Sequence, residues 1–361
     1  MLIGVLGGGQ LGRMLALAGI PLGLRFRFFD PAPECPASVV GEHVRAEWDD
    51  HGSLAAFAEG LDVATFEFEN VPTSTLAFVG SRVAVRPGPL ALEKGQDRLT
   101  EKAFFESCGL NVHPYRAASS EAELERALRE IGLPCVAKTR RMGYDGKGQA
   151  VIRDLAEVPA AWRSLGGHPL LVERFIAFES EASIIGVRSV TGDIRTYPLT
   201  ANVHRGGILR VSSAPAAGLD PSLERAASEH IRAVLNALDY VGVLAIEFFV
   251  SQGRLLANEF APRVHNSGHW TIEGACTSQF ENHVRAVAGL PLGDASLRAG
   301  PCVMVNIIGE RPDATSLLGV PGLHLHDYGK AARPGRKIGH ATLLPPPQGW
   351  EQDPALARLM A

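Results

Sequence analysis

Five residues, Leu2 to Leu6, run straight into Gly7-Gly8-Gly9, and a helical pattern from Leu11 to Ala18 follows at once. An apolar strand that turns into a helix across glycines is how a parallel strand–helix–strand unit begins. The alternation continues downstream. Arg25 to Phe29 reads as a second strand ending at Asp30, and Val63 to Phe68 as a third. A helix from near Pro72 and a closing strand at Val83 to Val85 complete the region. This spacing predicts a doubly wound parallel sheet with helices on both faces. Pro87-Gly88-Pro89 then punctuates the chain and marks the first boundary.

Beyond it the pattern mixes. Helices are expected over Asp97 to Ser107, Ser120 to Ile131 and Ser222 to Leu238. Strands are expected at Pro134 to Thr139, Leu170 to Ile176, Glu181 to Val190 and Val303 to Ile308. Val241 to Val250 and Arg254 to Phe260 read as a hairpin, and a short helix ends the chain. The fold class is therefore α/β followed by α+β. A length of 361 residues suggests two or three domains.

The charge balance narrows the partners. There are 35 Lys and Arg against 39 Asp and Glu, a net charge of -4, so nothing predicts bulk attraction to nucleic acid or to an anionic membrane. Cys35, Cys108, Cys135, Cys276 and Cys302 are scattered, which suits reduced thiols better than a disulfide frame or a zinc site. The first residues lack a basic segment before the apolar run, and glycines and Arg13 interrupt it. No signal peptide or membrane span is read there, and a cytoplasmic location is expected.

Five constellations can carry chemistry. Gly7-x-Gly9-x-x-Gly12 with Asp30 spells a dinucleotide fingerprint. It equally fits a tight strand-to-helix turn or a site for another phosphate. Lys138 precedes the stretch Gly143-Tyr144-Asp145-Gly146-Lys147-Gly148. A strand lysine and a closing glycine loop suit a polyphosphate, although a surface hairpin would look the same. Glu247 and Glu259 fall directly opposite each other if the hairpin turns through three residues, Gln252-Gly253-Arg254. Two carboxylates at that distance repel by about 4 kcal/mol at an effective dielectric near 20. A divalent ion preferring oxygen ligands, magnesium or manganese, relieves that repulsion, with Asn258 adjoining. The run Arg263 to Trp270 supplies arginine, histidine, asparagine and serine donors for phosphate or substrate. Its Gly268 argues against a helical two-histidine zinc site. Arg333-Pro334-Gly335-Arg336-Lys337 is a cationic turn, either solvated or closed on a substrate phosphate.

Taken in order, the segments GGGQLGRM, QDRLTEK, GYDGKGQ, YPLTANVHRGGILR, NEFAPRVHNSGHWT and RPGRKIGH resemble the N5-carboxyaminoimidazole ribonucleotide synthetase family of the ATP-grasp superfamily, from residue 1 to about 342. The resemblance implies an N-terminal pre-ATP-grasp domain over 1–92 and an ATP-grasp domain over 93–295. A mobile lid would lie at 110–175, and a C-terminal region over 296–361 would complete the substrate site. It implies a ligase joining bicarbonate to 5-aminoimidazole ribonucleotide through carboxyphosphate, with ATP and Mg2+ (or Mn2+), working as a homodimer.

The family's motifs carry over as follows. Arg98 and Lys138 would meet nucleotide phosphates, and Gly143, Tyr144, Asp145, Gly146, Lys147, Gly148 and Gln149 form the ATP loop. Glu173, Arg174, Phe175 and Ile176 would border adenine through backbone bonds. Glu181 would take the ribose, and His204 another nucleotide contact. Glu247 and Glu259 would hold the metal, with Asn258 beside them. Tyr144 and Asp145 would approach the aminoimidazole, Asp145 accepting the amine proton. Arg263, His265, Asn266 and Ser267 would line the bicarbonate and imidazole pocket. Gln10, Arg333 and Lys337 would surround the ribonucleotide phosphate, and Glu67 the ribose or aminoimidazole. Met142 departs from the small residue expected before Gly143. Two enzymes compete with this reading: a formate-dependent glycinamide ribonucleotide transformylase, and an NAD-binding oxidoreductase. A non-catalytic nucleotide-binding regulator is the third alternative.

Overall fold

The computed structural model describes residues 1–143 and 147–360. Three sheets organise them. The first is four-stranded and parallel. Leu2–Leu6 lies between Arg25–Phe29 and Val63–Phe66, and Glu42–Val44 forms the far edge. Alternation along these strands buries both faces. Ile3, Val5, Phe26 and Phe28 join one apolar cluster with the helix Gln10–Gly19. Leu6, Phe29 and Phe66 join another with Leu54 and Phe57 of His51–Ala58 and Leu76 and Val79 of Thr73–Gly80. The sheet is thus wound on both sides, as a parallel sheet requires. The expected strand at Val83 to Val85 shrinks to a single parallel bridge between Ala64 and Val85. The chain turns away at Pro87, which has no N–H to continue the ladder.

The second sheet has nine strands. The hairpin Gly242–Ser251 and Arg254–Ala261 forms one edge. Ser180–Arg188, Thr200–Arg205 and Ile208–Ala214 follow in order. Cys302–Ile308, Lys337–Leu343 and Leu323–Asp327 then extend the same sheet, so the C-terminal strands continue it. The third sheet, antiparallel, orders Tyr115–Ala118, Leu170–Arg174, Cys135–Thr139 and Gln149–Ile152. Its apolar face closes on Leu124, Leu128 and Ile131 of the helix Glu121–Ile131.

Caps set the helix starts. The Asp97 carboxylate accepts from Leu99 N–H and starts Arg98–Ser107, which points Arg98 at the hairpin. The five cysteines are free thiols. Among the described residues no helix is long and apolar enough to cross a membrane.

Candidate active site

Glu247 and Glu259 pair directly across the hairpin. Two local features produce this register. Ser251 pairs with Arg254, so the loop has two residues, Gln252 and Gly253, one fewer than expected. Their φ values of 51° and 66° are left-handed, as a tight hairpin turn needs. Asn258 is then an extra residue, a bulge between the Phe248–Ala257 and Glu247–Glu259 pairs, which shifts the ladder by one. Without the bulge the two-residue turn would have set Glu247 opposite Asn258.

The pair is electrostatically unequal. Burial, and next the Glu259 charge, push the Glu247 carboxyl up to about 7. Burial raises Glu259 too, but Arg98, 2.8 Å away, outweighs it and holds Glu259 low. At neutral pH the site therefore resists a full second negative charge. An oxygen-seeking divalent cation would let both carboxylates ionise, so the donor set fits magnesium. No group of three metal-ligating side chains occurs among the described residues. Two carboxylates plus phosphate oxygens is the way magnesium is usually held beside a nucleotide.

Positive charge faces the hairpin from the third sheet. Lys138 Nζ lies 2.6 Å from Glu173 Oε2 and 3.4 Å from Asn258 Oδ1. Glu173 also pairs at 2.8 Å with Lys102, a buried lysine of QDRLTEK that sequence reasoning passed over. Lys102 Nζ donates to the carbonyls of Ala257 and Asn258, anchoring the bulge. Its signal was there: a lysine one turn after Arg98, on the same helix. The Arg174 and Phe175 amides already donate to the carbonyls of Pro114 and Pro134. Backbone contact to a purine in this segment thus cannot come from those two amides. Glu181 accepts from His204 at 2.9 Å. Gln149 pairs with Lys138 across the edge of the third sheet. Arg98 donates to the Gly143 carbonyl at 3.4 Å. Met142 has φ 62°, left-handed backbone that glycine adopts most readily. Tyr144, Asp145 and Gly146 lie outside the described residues.

On the opposite side Arg263 pairs with Glu69. His265 Nε2 lies 3.3 Å from Glu247 Oε1. Asn266 exchanges two amide hydrogen bonds with Asn306. Gln10 Oε1 accepts from Lys330 Nζ at 2.9 Å, joining the first helix to the C-terminal strands. Lys330, three residues before Arg333, extends the cationic turn and was also missed. Burial, and then Arg336, lower its amine to about 8. Lys337 sits partly buried at the start of its strand, while Arg333 is exposed.

The N-terminal glycine turn corrects an expectation. Glu67 Oε1 accepts from Gly9 N–H at 2.9 Å and Oε2 from Gly12 N–H at 3.3 Å. Asp30 accepts from Gly8 N–H at 2.8 Å. The amides that would cradle a phosphate are satisfied by the chain's own carboxylates. A dinucleotide or other phosphate at this turn would have to displace both carboxylates from these amides.

The chain is similar to known proteins along nearly its whole length. Residues 1–96 match the ribonucleotide synthetase preATP-grasp domain, 103–280 the ATP-grasp domain, and 302–348 the phosphoribosylaminoimidazole carboxylase C-terminal domain. The N5-carboxyaminoimidazole ribonucleotide synthase of Pseudomonas aeruginosa is 51% identical over 343 residues, 95% of this chain and 94% of that one. The crystal structure of the Thermus thermophilus synthetase superposes with a TM-score of 0.93 at 52% identity, covering 99% and 98% of the two chains. An Aspergillus clavatus synthase, in complex with ADP and 5-aminoimidazole ribonucleotide, gives 0.91 at 31% identity over 99% and 98%. With three family-model matches in order along the chain, and 51–52% identity to synthases over nearly the whole length, the chain belongs to the N5-carboxyaminoimidazole ribonucleotide synthase family of ATP-grasp ligases.

Proposed function

We infer that the chain catalyses the ATP-dependent carboxylation of 5-aminoimidazole ribonucleotide to its N5-carboxy derivative, a ligase step of purine biosynthesis. One observation carries the reading to the residues. The Glu247–Glu259 pair touches a nucleotide-type side through Arg98 and a donor-rich side through His265. A reaction that makes an activated acid with ATP and uses it on a second substrate needs both sides in one cavity.

Arg98 and Lys138 bind and orient the ATP phosphates, and the loop 143–149 closes over them to exclude water. Glu247 and Glu259 would hold magnesium, which when bound offsets charge on the transferring phosphoryl group. A bicarbonate oxygen attacks the γ-phosphorus, and ADP leaves. Carboxyphosphate then breaks its C–O bond to give carbon dioxide and phosphate. The substrate amine attacks the carbon, forming the N–C bond and passing its proton to Asp145. Arg263, His265, Asn266 and Ser267 orient the acid and the imidazole. Lys330, Arg333 and Lys337 bind the ribonucleotide phosphate as point charges or forks, with Gln10 beside them. Glu67, which accepts from the Gly9 and Gly12 amides, would bond the ribose or the aminoimidazole. Domains at 1–92, 93–295 and 296–361, a homodimeric assembly and a cytoplasmic location accompany this reading.

The test is ADP release with substrates omitted in turn. Full rate should need both bicarbonate and the ribonucleotide. Equal ADP release with and without the ribonucleotide would refute the coupling.

A further inference from the structure

A line of buried polar side chains crosses the large sheet and ends at Glu247. Ser212, Asn202, Ser183 and Glu247 lie on four adjacent strands. Asn202 stands opposite Ser212, and Ser183 opposite Glu247. Ser183, Ser212 and Ser267 are fully buried and Asn202 nearly so. Ser212 Oγ lies 2.8 Å from Asn202 Oδ1, and Asn202 Nδ2 2.9 Å from Ser183 Oγ. Ser183 Oγ is 2.7 Å from Ser267 Oγ, which is 2.8 Å from His265 Nδ1. His265 Nε2 faces Glu247 Oε1 at 3.3 Å.

One backbone group fixes the direction of every bond in this line. The Ser267 N–H also points at His265 Nδ1, at 3.3 Å, and a backbone amide only donates. Nδ1 therefore carries no proton, which excludes both the imidazolium and the Nδ1–H tautomer. The Ser267 hydroxyl must then donate to Nδ1, so its oxygen accepts from Ser183. The Ser183 oxygen in turn accepts from the Asn202 amide, and Asn202 Oδ1 accepts from Ser212. The sole ring proton then belongs on Nε2, the nitrogen that lies 3.3 Å from Glu247 Oε1.

We propose that Ser212, Asn202 and Ser183 are positioning residues: through Ser267 they lock His265 as an Nε2–H donor that orients the Glu247 carboxylate. His265 then serves the reaction as a hydrogen-bond donor and neither as a general base nor as a metal ligand at Nε2. Partners that orient a ligand's hydrogen bonds usually matter roughly 10- to 100-fold in metal affinity or activity. The metal part rests on the reading of Glu247 given above; the tautomer part does not.

The test reads the ring nitrogens directly, by 15N NMR of the full chain labelled at histidine, with neither metal nor nucleotide added. His265→Gln identifies the signals by their loss. Wild type should show an unprotonated Nδ1 and a protonated Nε2; a protonated Nδ1 overturns the proposal without any variant of the line being needed. Asn202→Asp replaces the side-chain amide donor of the line by an acceptor of the same shape. Ser183 should then turn to residue 202, Ser267 to Ser183, and the ring proton should move to Nδ1. Binding of Mn2+–ADP, followed by electron paramagnetic resonance, should weaken roughly 10- to 100-fold. Adding Ser183→Ala cuts the line between Asp and ring, so the double variant should recover the Nε2–H form and tighter binding. A purely structural effect of Asn202→Asp would worsen with the second change. An unmoved ring proton in folded Asn202→Asp, or additive damage in the double variant, overturns the proposal. Failure of the magnesium reading would appear separately, as Mn2+–ADP binding unchanged in Glu247→Gln.

Discussion

Replacing Glu173 by glutamine removes the one carboxylate that two lysines share. Lys102 and Lys138 approach it at 2.8 and 2.6 Å, and the Lys102 and Glu173 side chains are almost wholly buried. Each contact has a gross Coulomb attraction of about 6 kcal/mol at an effective dielectric near 20. Desolvation of the ions cancels much of that in the intact cluster. The variant keeps the cost of burying Lys102 and loses the attraction, so it should be less stable by about 3–5 kcal/mol. The acid range gives a second signature. Burial raises the Glu173 carboxyl, but Lys138 and then Lys102 outweigh it, and it lies well below its ordinary value of 4.5. A carboxyl lowered on folding adds stability that is complete above its unfolded pKa and fades as pH falls through its folded value. Wild type should therefore lose stability below about pH 4.5 more steeply than Glu173→Gln. Denaturant unfolding across pH 3–7 measures both effects, and Lys102→Met in a double-mutant cycle isolates the pair. A loss under about 1 kcal/mol, or parallel acid limbs, would refute the idea that Glu173 is the counterion of this cluster.

Glu259→Gln should abolish magnesium-dependent turnover while leaving the fold intact; full activity in steady-state assays would remove Glu259 from the metal site. Lys330, with its amine lowered to about 8, should be partly neutral at pH 8 in the free protein and regain its proton against a phosphate dianion. Ribonucleotide binding near pH 8 should then take up protons, seen by calorimetry in buffers of different ionisation heat, and Lys330→Met should erase the uptake. Glu67→Gln turns one of two acceptors facing the Gly9 and Gly12 amides into a donor. It should cost about 1–3 kcal/mol in denaturant unfolding, and an unchanged midpoint would mean that water replaces the lost bond.

Some of this molecule is written locally. Leu2–Leu6 and the glycines after it specify a buried parallel strand and its turn, because apolar runs and positive φ are local preferences. Asp97 and Ser120 mark their helix starts by capping chemistry that spans three residues. The motif order named the family, and the acid pair stood out as two carboxylates on facing strands. The sequence could not reveal that the pair meets through a two-residue turn and a compensating bulge, since register is settled by pairing with a neighbouring strand. Nor could it show that Glu67 would fill the glycine turn 55 residues from Gly12. A carboxylate and an amide pair wherever the fold leaves both short of water. Lys102, Lys330 and the line from Ser212 to Glu247 belong to the same class. Their partners are distant in sequence, and burial, which only tertiary packing sets, is what gives those contacts their strength and their direction.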